Sequence, residues 1–181
     1  LDVCVVRKLG VPGHEELAMG AIASGGVRVV HEASLRSLGL DEELLEAVAK
    51  REHREVERRE RLFRGARPAL NLQGRCVIVV DDGLATGATM RAAIQAIRQA
   101  APKTVVMAVP VGSPDVVREF ESLVDEVVCV AQPYPFFAVG VWYRRFGQVT
   151  DDQVVAILEA ETLVGLAGTR AQEAAAPRSL P

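Results

Sequence analysis

Apolar and polar positions along this chain follow two periods. Short, nearly unbroken apolar runs occur at residues 1–6, 76–80, 103–109 and 125–131, each the length of a strand buried on both faces. Between and after them the apolar spacing widens to three and four residues, which predicts helices over 41–63, 90–100, 114–123 and 151–163. Pro114 stands at the start of the third of these, and Thr150 or Asp151 is placed to cap the last. Strands alternating with helices predict an α/β fold, a doubly wound, mostly parallel sheet flanked by helices. Residues 17–23 and 27–30, split by Ser24-Gly25-Gly26, read as a hairpin or flap added to it. The helix over 41–63 is long and highly charged, with Asp41 as its N-cap and only a thin apolar stripe, given by Leu45, Val48, Ala49, Glu52, Val56 and Phe63. Glu and Arg at spacings of three and four pair along its remaining surface. Such a helix covers the flap or meets a second subunit, in keeping with a homodimer.

Chemistry concentrates at residues 76–90, CVIVVDDGLATGATM. A strand runs into two adjacent acids, Asp81 and Asp82, then a loop of small residues and hydroxyls, then a helix start. Loop and helix-terminal N–H groups can converge on one anion there, and the helix dipole favours its charge. A Walker A loop is excluded, because Ala88 rather than Lys precedes Thr89. A dinucleotide fingerprint is excluded as well, because the acids precede the glycines.

An apolar strand, two acids and G-x-x-T-G-x-T closely resemble the ribose-5-phosphate loop of the type I phosphoribosyltransferases. The resemblance implies that Ala85, Thr86, Gly87, Ala88 and Thr89 bind the 5-phosphate. It implies that Asp81 and Asp82 hold the ribose hydroxyls and attract Mg²⁺ through water. Arg7 and Lys8 open a Gly/Pro-rich stretch, Leu9-Gly10-Val11-Pro12-Gly13, comparable to a loop in the adenine branch of the family. On this reading the stretch is a mobile loop that closes over the site, and the two cations hold the departing pyrophosphate. Most of the aromatic residues follow the last strand, and Phe136 or Phe137 is the candidate to stack on a planar acceptor. The family places a further strand and a pyrophosphate loop before the first strand seen here, so an N-terminally truncated domain over 1–163 is expected, with a flexible tail over 164–181.

The resemblance implies an enzyme that transfers phosphoribosyl from phosphoribosyl pyrophosphate to a nucleobase or other acceptor. A sensor or regulatory domain that keeps the loop without turnover is the alternative, and the acceptor is left open.

Composition narrows the partners. The chain has 181 residues, 49% hydrophobic content and a net charge of −3, which suits one domain with a substantial core. Mild acidity argues against nucleic-acid binding, and no apolar run approaches the roughly 18 residues that would span a bilayer. Cys4, Cys76 and Cys129 each sit in an apolar run without metal-ligand spacing. They read as buried, reduced thiols of a cytoplasmic protein.

Overall fold

The computed structural model describes residues 1–30, 32–65, 67 and 70–161. The expected tail over 164–181 lies outside the described residues. Among the described residues, two three-stranded sheets carry the fold. In the first, strands β1 (Val6–Val11), β2 (His14–Ala23) and β3 (Val27–Val30) pair antiparallel in sequence order. In the second, β4 (Cys76–Val80), β5 (Thr104–Val111) and β6 (Glu126–Ala131) pair parallel, also in sequence order.

Helix α1 (Glu32–Leu38) leads from β3 to α2 (Glu42–Arg64). The Asp41 carboxylate caps α2 by accepting from the Leu44 N–H at 2.7 Å. The stripe read from the sequence is the stripe that is buried: Leu45, Val48, Ala49 and Val56 join Leu9, Met19 and Ile22 of β1 and β2 in one core, with Phe63 packed at its edge. Glu52 lies on the same stripe, and its fate bears on the site.

A second core lies on one face of the parallel sheet. Val105, Met107 and Val109 of β5 meet Met90, Ile94 and Ile97 of α3 (Ala88–Gln99) and Val117 and Phe120 of α4 (Pro114–Phe120). Helix α3 also contacts all three strands of the antiparallel sheet, so it stands between the two sheets. It is accordingly buried around much of its circumference, at Ala92, Ala93 and Ala96 as well as at its larger apolar residues. A fifth helix among the described residues, α5, covers 151–161. Thr150 caps it reciprocally: the Gln153 N–H donates to the Thr150 hydroxyl at 3.3 Å, and the Thr150 N–H to Gln153 Oε1 at 2.9 Å.

Three local expectations need correction. Residues 1–5 join neither sheet, and the first strand begins at Val6, where it pairs with the hairpin strand β2 instead of entering the parallel sheet. Strand β4 is not buried on both faces. Only one face is covered: Val77 and Val79, with Val127 and Cys129 of β6, pack against the second core, while on the other face Ile78 is 62% exposed and Val80 71% exposed. Those two look onto a groove of about 1160 Å³ that separates β4 from the segment around Val3, Cys4 and Val6. Cys76 is on the same face and is therefore an exposed free thiol, while Cys4 and Cys129 are half-buried. Apolar period alone does not reveal which face of a sheet is left without a covering layer.

Candidate functional site

Past the end of β4 the chain stays on β5 for one more turn. The Asp81 N–H donates to the Ala108 carbonyl at 3.4 Å and the Leu84 N–H to the Val111 carbonyl at 2.9 Å; Ser113 N–H returns to the Leu84 carbonyl at 2.9 Å. Leu84 is buried and anchors the turn in the second core. Asp81 and Asp82 are thus held at the carboxyl end of β4, the edge where open α/β sheets take ligands. The Asp82 N–H donates to Asp81 Oδ1 at 2.9 Å. Burial pushes the half-buried Asp81 carboxyl above the usual carboxylate range; the neighbouring Asp82 charge pushes the same way, and the Asp82 N–H opposes both. Asp82 itself is exposed.

The loop then turns into α3. Gly87 is the N-cap, left-handed with φ +71°, and no side chain caps the helix in its place. The first-turn amides from Ala88 onward therefore have no intrahelical acceptor and are presented at the positive end of the helix dipole. Ala85, Thr86, Ala88 and Thr89 are exposed around them. Gly87 is buried, and the reason is steric: a Cβ there would lie 2.6 Å from Cε2 and 3.0 Å from Cζ of Phe120. Phe120 is fully buried and forms the floor under the loop. The Arg91 guanidinium covers its ring at 5.0 Å and pairs with Glu119 at 2.8 Å, while the Arg91 N–H takes the Gly87 carbonyl at 2.8 Å.

The cationic pair lies elsewhere than its sequence context suggests. Arg7 and Lys8 are in the body of β1, not in a mobile loop, because Arg7 pairs with Ile22 and Lys8 with Ala21 across the antiparallel ladder. Alternation along a strand sends the two side chains to opposite faces. Arg7 shares the face of the buried Leu9 and reaches α2, where its Nε and terminal nitrogen both lie 2.9 Å from Glu52 Oε2. Glu52 is only 7% exposed and also accepts from Arg51 Nε at 3.0 Å. Lys8 is exposed, on the face of Val6, which lines the groove that also reaches Asp81 and Thr89. The strand thus divides the pair, with Arg7 engaged by α2 and Lys8 displayed.

The aromatic segment after β6 folds back over the acidic turn. Gly83 lies against Val139, whose methyls would be 2.6 and 2.9 Å from a Cβ added there. The Tyr143 hydroxyl donates to the Asp82 carbonyl. Phe136 is half-buried and Phe137 is 80% exposed. Sequence reasoning missed Phe120 and Tyr143. Phe120 reads as one more apolar residue of a short helix, and Tyr143 is separated from Asp82 by 61 positions, so no local spacing connects them.

Comparison with known proteins decides the family. Residues 13–143 match the phosphoribosyl transferase domain. The chain belongs to that family. Two Mycobacterium tuberculosis proteins, from strains CDC 1551 / Oshkosh and ATCC 25618 / H37Rv, are each named "Putative phosphoribosyl transferase". Each is 50% identical over 159 residues, which is 88% of this chain and 36% of the relative. The chain therefore spans about a third of the length of those curated relatives. The crystal structure of TT1426 from Thermus thermophilus is 44% identical with a TM-score of 0.75, covering 87% of this chain and 74% of that one. The acidic pair, the small-residue loop, Phe136, Phe137 and Tyr143 all fall inside the matched phosphoribosyl transferase span; Arg7 and Lys8 precede it.

Asp81 and Asp82 are the residues suited to a divalent cation. Among the described residues no three His, Cys, Asp or Glu side chains converge as a metal centre. A cation here would take its remaining oxygen ligands from water and phosphate, as Mg²⁺ commonly does. No helix among the described residues is long and apolar enough to cross a membrane.

Proposed function

We propose that this domain transfers the 5-phosphoribosyl group of phosphoribosyl pyrophosphate to a nucleobase or another acceptor, releasing pyrophosphate. The observation that carries this reading is the turn itself. Two carboxylates at a strand end are followed within one helix start by uncapped amides and the hydroxyls of Thr86 and Thr89. Amides and hydroxyls of Ala85, Thr86, Gly87, Ala88 and Thr89 take the 5-phosphate. Asp81 and Asp82 accept hydrogen bonds from the ribose hydroxyls, and their negative charge favours the positive charge that develops on the sugar as its leaving group departs. Mg²⁺ bound at these carboxylates would neutralise charge on the pyrophosphate oxygens. Lys8, and Arg7 if Glu52 releases it, hold the leaving group; Phe136 or Phe137 stacks on a planar acceptor. The substrates are small molecules, with neither nucleic acid nor membrane as partner, and the protein acts in the cytoplasm, with a homodimer as its assembly.

One observation favours the second reading, a domain that senses phosphoribosyl pyrophosphate without turnover. The Arg7 guanidinium is already engaged by Glu52, which leaves fewer free cations for a leaving group. Pyrophosphate release with Mg²⁺ across a panel of bases separates the two. Release with any base establishes transfer; tight binding of phosphoribosyl pyrophosphate without release from any acceptor establishes the sensor. The doubly substituted Asp81→Asn, Asp82→Asn protein is expected to lose phosphoribosyl pyrophosphate binding in calorimetry. Unchanged affinity would show that the ribose lies elsewhere.

A further inference from the structure

The acidic turn is fastened to β5 at its two ends, through Asp81 N–H and Leu84 N–H. Between those anchors the Asp82 carbonyl accepts from the Tyr143 hydroxyl. That tyrosine arrives from the aromatic segment after β6 and is itself held in place. Its ring lies 5.1 Å from that of Phe146, its N–H donates to the Gly140 carbonyl at 3.3 Å, and the Phe146 ring sits where a side chain on residue 140 would be. Val139, in the same packed unit, rests on Gly83.

We propose that Tyr143 is a positioning residue: its hydroxyl ties the aromatic segment to the acidic turn and thereby fixes the carboxylates that receive the ribose. The assignment of ribose to that turn rests on the function proposed above; the tether does not. A phenol hydroxyl is a hydrogen-bond donor, and the Asp82 carbonyl is the acceptor it meets. A consequence is that the donor side and the acceptor side of the site move as one unit. Ordering the segment that carries Phe136 and Phe137 also orders Asp82, and loosening it frees both.

Tyr143→Phe tests this, because it removes the hydroxyl and leaves the ring on Phe146. Tyr134→Phe, at a fully displayed ring, is the control. One neutral hydrogen bond is worth about fivefold in a local equilibrium. Amide exchange of the Tyr143→Phe protein is therefore expected to quicken about fivefold at residues 82–84 and 139–146 while locally opening amides elsewhere keep their rates, and Tm should fall by only the roughly 2–4 °C that one such bond is worth. Affinity for ribose 5-phosphate should fall about fivefold while that for inorganic phosphate, which needs only the loop amides, stays the same. Unchanged exchange at 82–84 would overturn the tether. So would exchange quickened by the same factor throughout the chain together with a much larger fall in Tm, which would mark Tyr143 as general packing. Faster local exchange in a protein whose parent binds no ribose 5-phosphate would uphold the tether and instead remove the proposed function.

Discussion

Gly87→Ala probes the feature on which the loop before α3 depends, its close approach to Phe120. Two costs add. The first is conformational: Gly87 has φ +71°, and a residue with a Cβ in the left-handed region costs about 1–2 kcal/mol. The second is steric, because the new methyl would lie 2.6 Å from Phe120 Cε2 and 3.1 Å from Val116 Cγ1. Phe120 is fully buried in the second core and cannot swing into solvent. Forcing an extra carbon into a packed core costs about 1–3 kcal/mol. The expected total, about 2–5 kcal/mol, is a large part of the roughly 5–15 kcal/mol that holds a domain folded. Gly74→Ala separates the two costs. Gly74 has φ +67° and open space around its missing Cβ, so only the conformational cost applies there. Urea denaturation of the two variants should differ by about 1–3 kcal/mol at equal m-values. Equal losses would refute the claim that Phe120 is the floor of the loop and leave the left-handed backbone as the reason residue 87 is glycine.

Asp81→Asn should raise stability at neutral pH while removing ligand binding. The folded-state pKa of Asp81 is raised above the ordinary 3.8, chiefly by burial, so the folded protein holds this proton more tightly than the unfolded chain. Its ionised form therefore costs stability at all pH values above the folded pKa, and that cost disappears below 3.8, where both states are protonated. The Tm advantage of the variant should shrink to nothing on acidification; a lower Tm than the parent at neutral pH would contradict the sign. Glu52→Gln should cost about 2 kcal/mol in urea denaturation, below the usual penalty for a fully buried pair because Arg7 is half-exposed and can be solvated. A loss under about 0.5 kcal/mol would show that the carboxylate does not hold β1 to α2.

The elements were largely legible in the sequence, since each rests on a local pattern. Asp41 and the apolar stripe of α2, the parallel run of β4, β5 and β6, the hairpin around Ser24-Gly25-Gly26 and the Thr150 cap all follow from period and capping chemistry. So does the turn at Asp81–Thr89, because a strand end, two acids and a small-residue loop are contiguous in the chain. Where side chains point across the fold was decided by pairing between distant segments. Val6–Val11 chose the hairpin strand β2, and that ladder sent Arg7 to Glu52 on α2 and Lys8 to the other face. Packing of α3 and α4 on one face of the parallel sheet left Ile78, Val80 and Cys76 exposed on the other, although their apolar character suggested burial. Phe120 under Gly87 and Tyr143 on Asp82 joined residues 33 and 61 positions apart, respectively. A sequence pattern records how one segment meets its own neighbours. Which surfaces two segments present to each other depends on register, and register exists only once the sheets have formed.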